Sequence, residues 1–390
     1  MTRRQGRPPS ATGAILALSL VLSVVLSSSA FVTSPASPTS RPSVAPSTMM
    51  SSPASPATDG HGQWTPLTDL LDADPANLCR SSADAASPRL AKDEGFALEV
   101  QRIWKEEIGQ RSSAASTAKA VGKAITYHTS EGTPLYGYTV RPDGETGDNL
   151  LPGILLFHTG AGPQDVFLRW KAESLVTNSD LGGCVVLICD IISDDTGWAW
   201  GSDRSKYNEA RKAVLESSIG ADGNAFRPEL QRRVQAAVHA LKALDGVDIN
   251  RIGSLGWCMG GHPVLEIGRM KIPGMKAAAT FHGVFDSVMT DETEVIADEN
   301  KADNADNRPS CVICNGKDDP FVKPEDLGKC KQIFESNGWQ WKLIEYEGTR
   351  HGFTNPAQDL NPNEAFAFNK EAAASSWEAV CDLLKEKLAR

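Results

Sequence analysis

Between Ile252 and Ile267 the chain passes from an apolar run, Ile252-Gly253-Ser254-Leu255, through Gly256-Trp257-Cys258-Met259-Gly260-Gly261, into Pro263-Val264-Leu265-Glu266-Ile267. The first run reads as a short buried strand and the last as the start of a helix. A chain that turns from strand to helix so abruptly forces the tip residue into a strained backbone region. Only small neighbours then let strand and helix pack so closely. The pattern is that of a nucleophile elbow with Cys258 at its tip. A thiol at a helix N-terminus feels the positive end of the helix dipole, which favours its anionic form. Taken alone, the same six residues also read as a buried core cysteine in a Gly-rich turn.

Two downstream motifs favour the first reading. Cys311-Val312-Ile313-Cys314-Asn315 is an apolar run followed by Gly316-Lys317-Asp318-Asp319-Pro320. Trp341 to Tyr346 alternates as a strand does and leads to Arg350-His351-Gly352-Phe353. An acid after one strand and a histidine after a later one, both downstream of the elbow, follow the chain order of an α/β-hydrolase triad. In isolation Asp319 would read as a turn residue and His351 as a surface or capping histidine.

Gly-x-Cys-x-Gly-Gly at 256–261, Gly-x-x-Asp at 316–319 and His-Gly-Phe-Thr-Asn-Pro at 351–356 together resemble the dienelactone hydrolase family, over a stretch from about Ile125 to the C-terminus. The resemblance implies an α/β-hydrolase fold, with a mostly parallel central sheet flanked by helices. It also implies hydrolysis of an ester or lactone through an acyl-thioester, with Cys258 as nucleophile, Asp319 as acid and His351 as base. Asp318 is the rival acid; the spacing from Gly316 and the following Phe321-Val322 favour Asp319. The family uses a Glu in the loop after the third strand to help generate the thiolate. Here that loop reads Phe157-His158-Thr159-Gly160-Ala161-Gly162, with Thr159 in the place of the Glu. Either a direct Cys258–His351 ion pair then serves instead, or another group substitutes for the Glu. The same loop is expected to supply an oxyanion-hole N–H from Gly160, beside that of Met259. His158, Trp257 and His282 are candidates for contact with a small-molecule substrate, and His262 is expected to be structural. No metal or organic cofactor is implied. Two alternatives stand beside this reading: a non-catalytic ligand-binding protein of the same fold, and a thiol redox role for Cys258.

Around these motifs the order is regular. Ala124 to Thr129 and Leu135 to Val140 read as a hairpin across Ser130-Glu131-Gly132-Thr133. Gly153–Phe157 and Cys184–Ile188 are continuous apolar runs, as expected of parallel strands buried on both faces. Glu229–Leu244, Lys323–Ser336 and Trp377–Leu388 have helical periodicity, and Ala277–Phe281 reads as a strand. Alternating strands and helices place ligands at the C-terminal ends of the strands. The stretch from Trp198-Ala199-Trp200 to Asn224 reads as a polar insertion that either lines a substrate pocket or anchors itself. Four of the eight cysteines (Cys184, Cys189, Cys311 and Cys314) sit in strand-like runs and are expected in the core. Cys311 and Cys314 are three apart in a strand, so they should face opposite sides rather than form a pair.

A net charge of −10, with lysines and arginines scattered, excludes a nucleic-acid footprint. Arg3, Arg4 and Arg7 precede the apolar run Ala14–Leu26 and the small residues Ser27-Ser28-Ser29-Ala30. The run is too short for a membrane span and reads as a signal peptide over 1–30. Residues 31–58 are rich in Ser, Thr, Pro and Ala, and no acid occurs before Asp59. Acid-poor, Ser-rich sequence is transit-peptide composition. The pair implies a two-part presequence to a plastid stroma; the alternative is secretion with a linker. Residues 59–122 form a lead-in of unknown role, and 123–390 the catalytic domain.

Overall fold

The computed structural model describes residues 64–66, 102, 119–144, 149–163, 165–193, 204–220, 225–289, 308–361 and 363–389. The expected signal and transit-like segments, nearly all of the lead-in and the Trp198–Trp200 pair lie outside these residues.

Val185-Val186-Leu187-Ile188-Cys189 has no polar residue to turn toward water, so it needs cover on both faces. The architecture supplies that cover. Eleven strands occur among the described residues: β1 Thr65–Pro66, β2 Ala120–His128, β3 Pro134–Pro142, β4 Leu151–Phe157, β5 Val185–Cys189, β6 Ser218–Ile219, β7 Ala225–Phe226, β8 Val247–Trp257, β9 Met275–Phe281, β10 Ser310–Gly316 and β11 Gln340–Tyr346. Nine form one sheet in the order β1-β2-β3-β5-β4-β8-β9-β10-β11, and β6 pairs with β7 separately. Pairing is antiparallel from β1 to β5 and parallel from β5 to β11.

Among the described residues six helices accompany the sheet: α1 Val166–Val176, α2 Arg204–Val214, α3 Pro228–Lys242, α4 Gly261–Arg269, α5 Pro324–Ser336 and α6 Lys370–Leu388. The apolar stripe of α3 (Leu230, Val234, Ala237, Val238 and Leu241) packs on one face of the sheet, with side chains of α4 and α5. Phe167, Leu168 and Leu175 of α1 and Trp377, Val380 and Leu384 of α6 pack on the other. Cys311 belongs to the first core and Cys314 to the second, as their odd spacing requires. All seven described cysteines are free thiols.

Two sequence expectations need correction. The hairpin's first strand starts at Ala120, not Ala124. Ala120-Val121-Gly122 carries little strand signal of its own, but β1 pairs with Val121 and Gly122 from outside and Tyr138 lies across Gly122. The polar stretch before Asn224 contains α2, whose Tyr207 and Val214 are buried in the first core.

The chain leaves β4 for β5 on one side and returns to β8 on the other. Adjacent loops after β4 and β8 therefore diverge in opposite directions and open a crevice at the strands' C-terminal ends. Thr159-Gly160 follow β4 and Cys258 follows β8, so topology alone brings them together.

Candidate active site

β8 ends at Trp257, a single 3-10 turn spans Cys258–Gly260, and α4 starts at Gly261, with no spacer between strand and helix. Cys258 sits at φ 51°, a left-handed conformation that non-glycine residues rarely adopt. The glycines make this turn sterically possible. A methyl group on Gly256 would lie 2.1 Å from the Gly260 carbonyl oxygen, and one on Gly260 would lie 2.4 Å from that of Phe157. One on Gly261 would lie 2.8 Å from the Val284 carbonyl oxygen. These obstacles are backbone atoms, which cannot rotate away. Gly256→Ala is therefore expected to destabilise the fold by about 3 kcal/mol, the scale of backbone strain plus overpacking. Chemical denaturation of the variant checks this; a loss under about 1 kcal/mol would show that the elbow tolerates a side chain.

Asp319 lies in the turn after β10 and His351 in the loop after β11. The His351 Nδ1–H donates to Asp319 Oδ2 at 2.7 Å, and both side chains are almost fully buried. The other carboxylate oxygen, Oδ1, accepts the Phe321 N–H at 2.9 Å, which fixes its orientation. Asp318 points to solvent and supplies only its N–H to the Thr349 carbonyl. Burial alone would strip the proton from His351. The Cys258 sulfur beside it, together with the hydrogen bond to Asp319, reverses that effect and pushes its pKa up to about 10. His351 is thus an imidazolium at neutral pH, in hydrogen-bonding contact with Cys258 on one side and Asp319 on the other.

Cys258 and His351 open into a cavity of about 510 Å³, walled by Thr159 and Gly160, by Tyr207 and Arg211 of α2, and by an aromatic mouth that includes Phe321 and Phe366. Both phenylalanine rings stand edge-on to the His351 ring, at 5.0 and 5.1 Å between centroids. His282 also lines the cavity. Its Nε2 lies 3.1 Å from the Thr354 hydroxyl, and burial, then the nearby charge of His351, keeps it neutral.

His158 and Trp257 are not in the cavity wall, contrary to expectation. His158 is wholly buried; its Nδ1–H donates to the Thr159 carbonyl at 2.6 Å and its Nε2 accepts the Ile191 N–H at 3.4 Å. It ties the loop after β4 to the loop after β5. Trp257, one residue before the tip, takes the opposite side of β8 and stacks on Phe281 at 4.8 Å in the second core. His262 is structural, held at 2.8 Å by Arg227 and at 3.2 Å by Asp286. Burial, then the Arg227 charge, pushes its pKa down to about 3.

Thr159 uses its hydroxyl to accept the Ala161 N–H at 3.1 Å, shaping the loop that faces Cys258. A carboxylate here would sit in the same wall as the thiol. Thr159→Glu is therefore expected to displace the kcat/KM–pH profile. An unchanged profile in the folded variant would remove position 159 from electrostatic reach of Cys258.

Nothing in the local sequence marks Tyr207 and Arg211 as cavity residues. They stand four apart on α2 and so share a face, a spacing that carries information only once the helix is known to roof the cavity.

A strained strand–turn–helix elbow with a cysteine at its tip, at a switch point, with an acid and a histidine from later strand ends, defines a protein of the α/β-hydrolase fold. Residues 135–388 match the Dienelactone hydrolase family, well over half the chain. The chain belongs to that family and is a hydrolase acting on ester bonds. It is 25% identical over 161 residues to an uncharacterized protein of Caenorhabditis elegans, covering 41% of this chain and 96% of that one. Among solved structures it is similar to a dienelactone hydrolase-like promiscuous phosphotriesterase from metagenomic libraries (25% identity, TM-score 0.54, 69% of this chain and 99% of that one). A second structure, m3DLH, superposes with a TM-score of 0.55 at 23% identity over 69% of this chain and 99% of that one. No helix among the described residues is long and apolar enough to cross a membrane.

Proposed function

We propose that the protein cleaves a carboxylic ester or lactone through Cys258, His351 and Asp319. The observation that carries this reading is the placement of His351 between the Cys258 sulfur and the Asp319 carboxylate, its proton held up to about pKa 10. The thiolate attacks the acyl carbon, and the carbonyl electron pair moves to oxygen. The N–H groups of Met259 and Gly160 hold that oxyanion, each contributing about 3 kcal/mol. Met259 N–H is among the first donors of the turn after β8, which helix geometry leaves without an intrahelical acceptor. As the tetrahedral intermediate collapses, the imidazolium gives its proton to the departing alkoxide, leaving an acyl-thioester and neutral His351. His351 then takes a proton from water as that water attacks the thioester; collapse expels the thiolate beside the protonated His351 and frees the carboxylic acid. The direct contact of Cys258 with His351, backed by Asp319, does the work that the family assigns to its loop Glu.

A panel of p-nitrophenyl esters and unsaturated lactones, read with wild type and Cys258→Ala, tests the reading. Turnover of at least one substrate that vanishes in the variant supports it. Turnover independent of Cys258 would refute it.

The presequence remains part of the same proposal. Its support is the basic start, the apolar run Ala14–Leu26 and the absence of acids before Asp59. N-terminal sequencing of the native protein should find a start well beyond Ala30. A start at Phe31 would favour secretion over plastid import.

A further inference from the structure

We infer that Tyr207 is a third oxyanion donor, a side-chain hydroxyl that completes the hole otherwise made by two backbone amides. The inference rests on the Cys258 mechanism above. Its carrier is position. The Tyr207 hydroxyl oxygen lies 3.7 Å from the Met259 sulfur. A methyl group on Gly160 would come within 3.0 Å of that same oxygen. One hydroxyl thus stands against the Met259 side chain and the Gly160 backbone, the two residues proposed to supply the oxyanion N–H groups, and Tyr207 lines the same cavity as Cys258.

The chemistry of the contacts points the same way. Tyr207 is only 5% exposed. Among its contacts, its O–H donates toward the Met259 thioether, a weak acceptor. An alkoxide forming in the adjacent hole is a far stronger one, and a charge-assisted O–H···O⁻ bond is shorter and about twice as strong as a neutral bond. The phenol therefore has its largest gain when charge develops on the carbonyl oxygen, which is the condition for catalysis rather than mere binding. The proton stays on Tyr207 throughout, so the donor needs no acid or base of its own.

The helix that carries Tyr207 is anchored from the other side of the site. Arg211, one turn on, forms an ion pair with Asp286 and reaches His262 Nε2 at 3.4 Å. Arg227 Nη2 fixes the Asp286 and Ser287 carbonyls at 3.1 Å each. That loop also receives the elbow, since the Val284 N–H donates to the Cys258 carbonyl at 2.8 Å. Hydroxyl and nucleophile are therefore referenced to one rigid loop, as a preorganised donor requires.

The deciding variant is Tyr207→Phe, which deletes one oxygen and keeps the ring. With the p-nitrophenyl ester that wild type turns over best, kcat is expected to fall about 100-fold with KM within about threefold, the signature of a lost transition-state contact. Alkylation of Cys258 by iodoacetamide supplies the second readout. That reaction displaces iodide at a CH₂ carbon and builds no oxyanion, so Tyr207→Phe should alkylate at the wild-type rate. An unchanged kcat overturns the proposal, as does a fall in hydrolysis matched by an equal fall in alkylation, which would place Tyr207 on the thiolate or in the fold. Wild-type hydrolysis that survives Cys258→Ala would instead remove the mechanism on which the inference rests.

Discussion

Cys258→Ala is expected to lower kcat by about 10⁴-fold or more, the scale seen when a covalent nucleophile is removed from a triad. The reason lies in what the substitution leaves behind. The elbow glycines, the cavity and the proposed oxyanion donors remain, so substrate should still bind with its carbonyl polarised. No atom is left to form a bond to the acyl carbon, and His351 loses the sulfur that holds its proton. Its pKa should then drop from about 10, leaving a neutral imidazole facing an empty position. Steady-state turnover measures the loss. A melting temperature close to wild type shows that the loss is chemical, since an Ala side chain meets the same left-handed backbone as Cys. Retention of a tenth of the activity would end the case for Cys258 as nucleophile.

Asp319→Asn should cost about 10³- to 10⁴-fold in kcat, whereas Asp318→Asn should change it less than about threefold. Asp319 does two things that an amide cannot. Its Oδ2 accepts the Nδ1–H of His351, which fixes the tautomer that presents Nε2 to the sulfur. Its negative charge also helps to hold the imidazolium. An Asn that turns its NH₂ toward Nδ1 favours the opposite tautomer. With the carboxylate gone, the pKa of His351 falls, so the alkaline limb of kcat/KM should move to lower pH. Asp318 is exposed, and its link to the Thr349 carbonyl uses a backbone N–H that survives the substitution. The two variants, compared at equal folding by kcat and pH profile, decide between adjacent carboxylates. A larger loss in Asp318→Asn would reverse the assignment.

Much of this site was legible before any coordinates. The elbow was readable because its constraint is local: a strand cannot become a helix within three residues unless Gly256, Gly260 and Gly261 lack side chains. The acid and histidine were readable because each follows an apolar strand, and parallel strands deliver their following loops to one end of the sheet. Strand parity also separated Cys311 from Cys314 correctly. Parity would equally have excluded Trp257, which immediately precedes the tip and so takes the other side of β8. His158 failed for a different reason. Its sequence position is right, but its ring found two backbone partners, at Thr159 and Ile191, that lie in different loops.

The order of Cys258, Asp319 and His351 along the chain was enough to specify which side chains meet at one end of the sheet. Sterics at a turn and the direction of parallel strands are properties of short segments, and a sequence carries them openly. What surrounds those groups was settled only when distant segments met. Tyr207 and Arg211 come from a helix with few apolar residues, Phe366 from the approach to α6, and Asp286 from the loop after β9. The Arg227–His262–Asp286 contacts join residues up to 59 positions apart. None of these has a local signature, because each owes its place to packing against a partner far along the chain. The meeting of thiol, imidazole and carboxylate was therefore written in short motifs, while the cavity around them exists only in the folded protein.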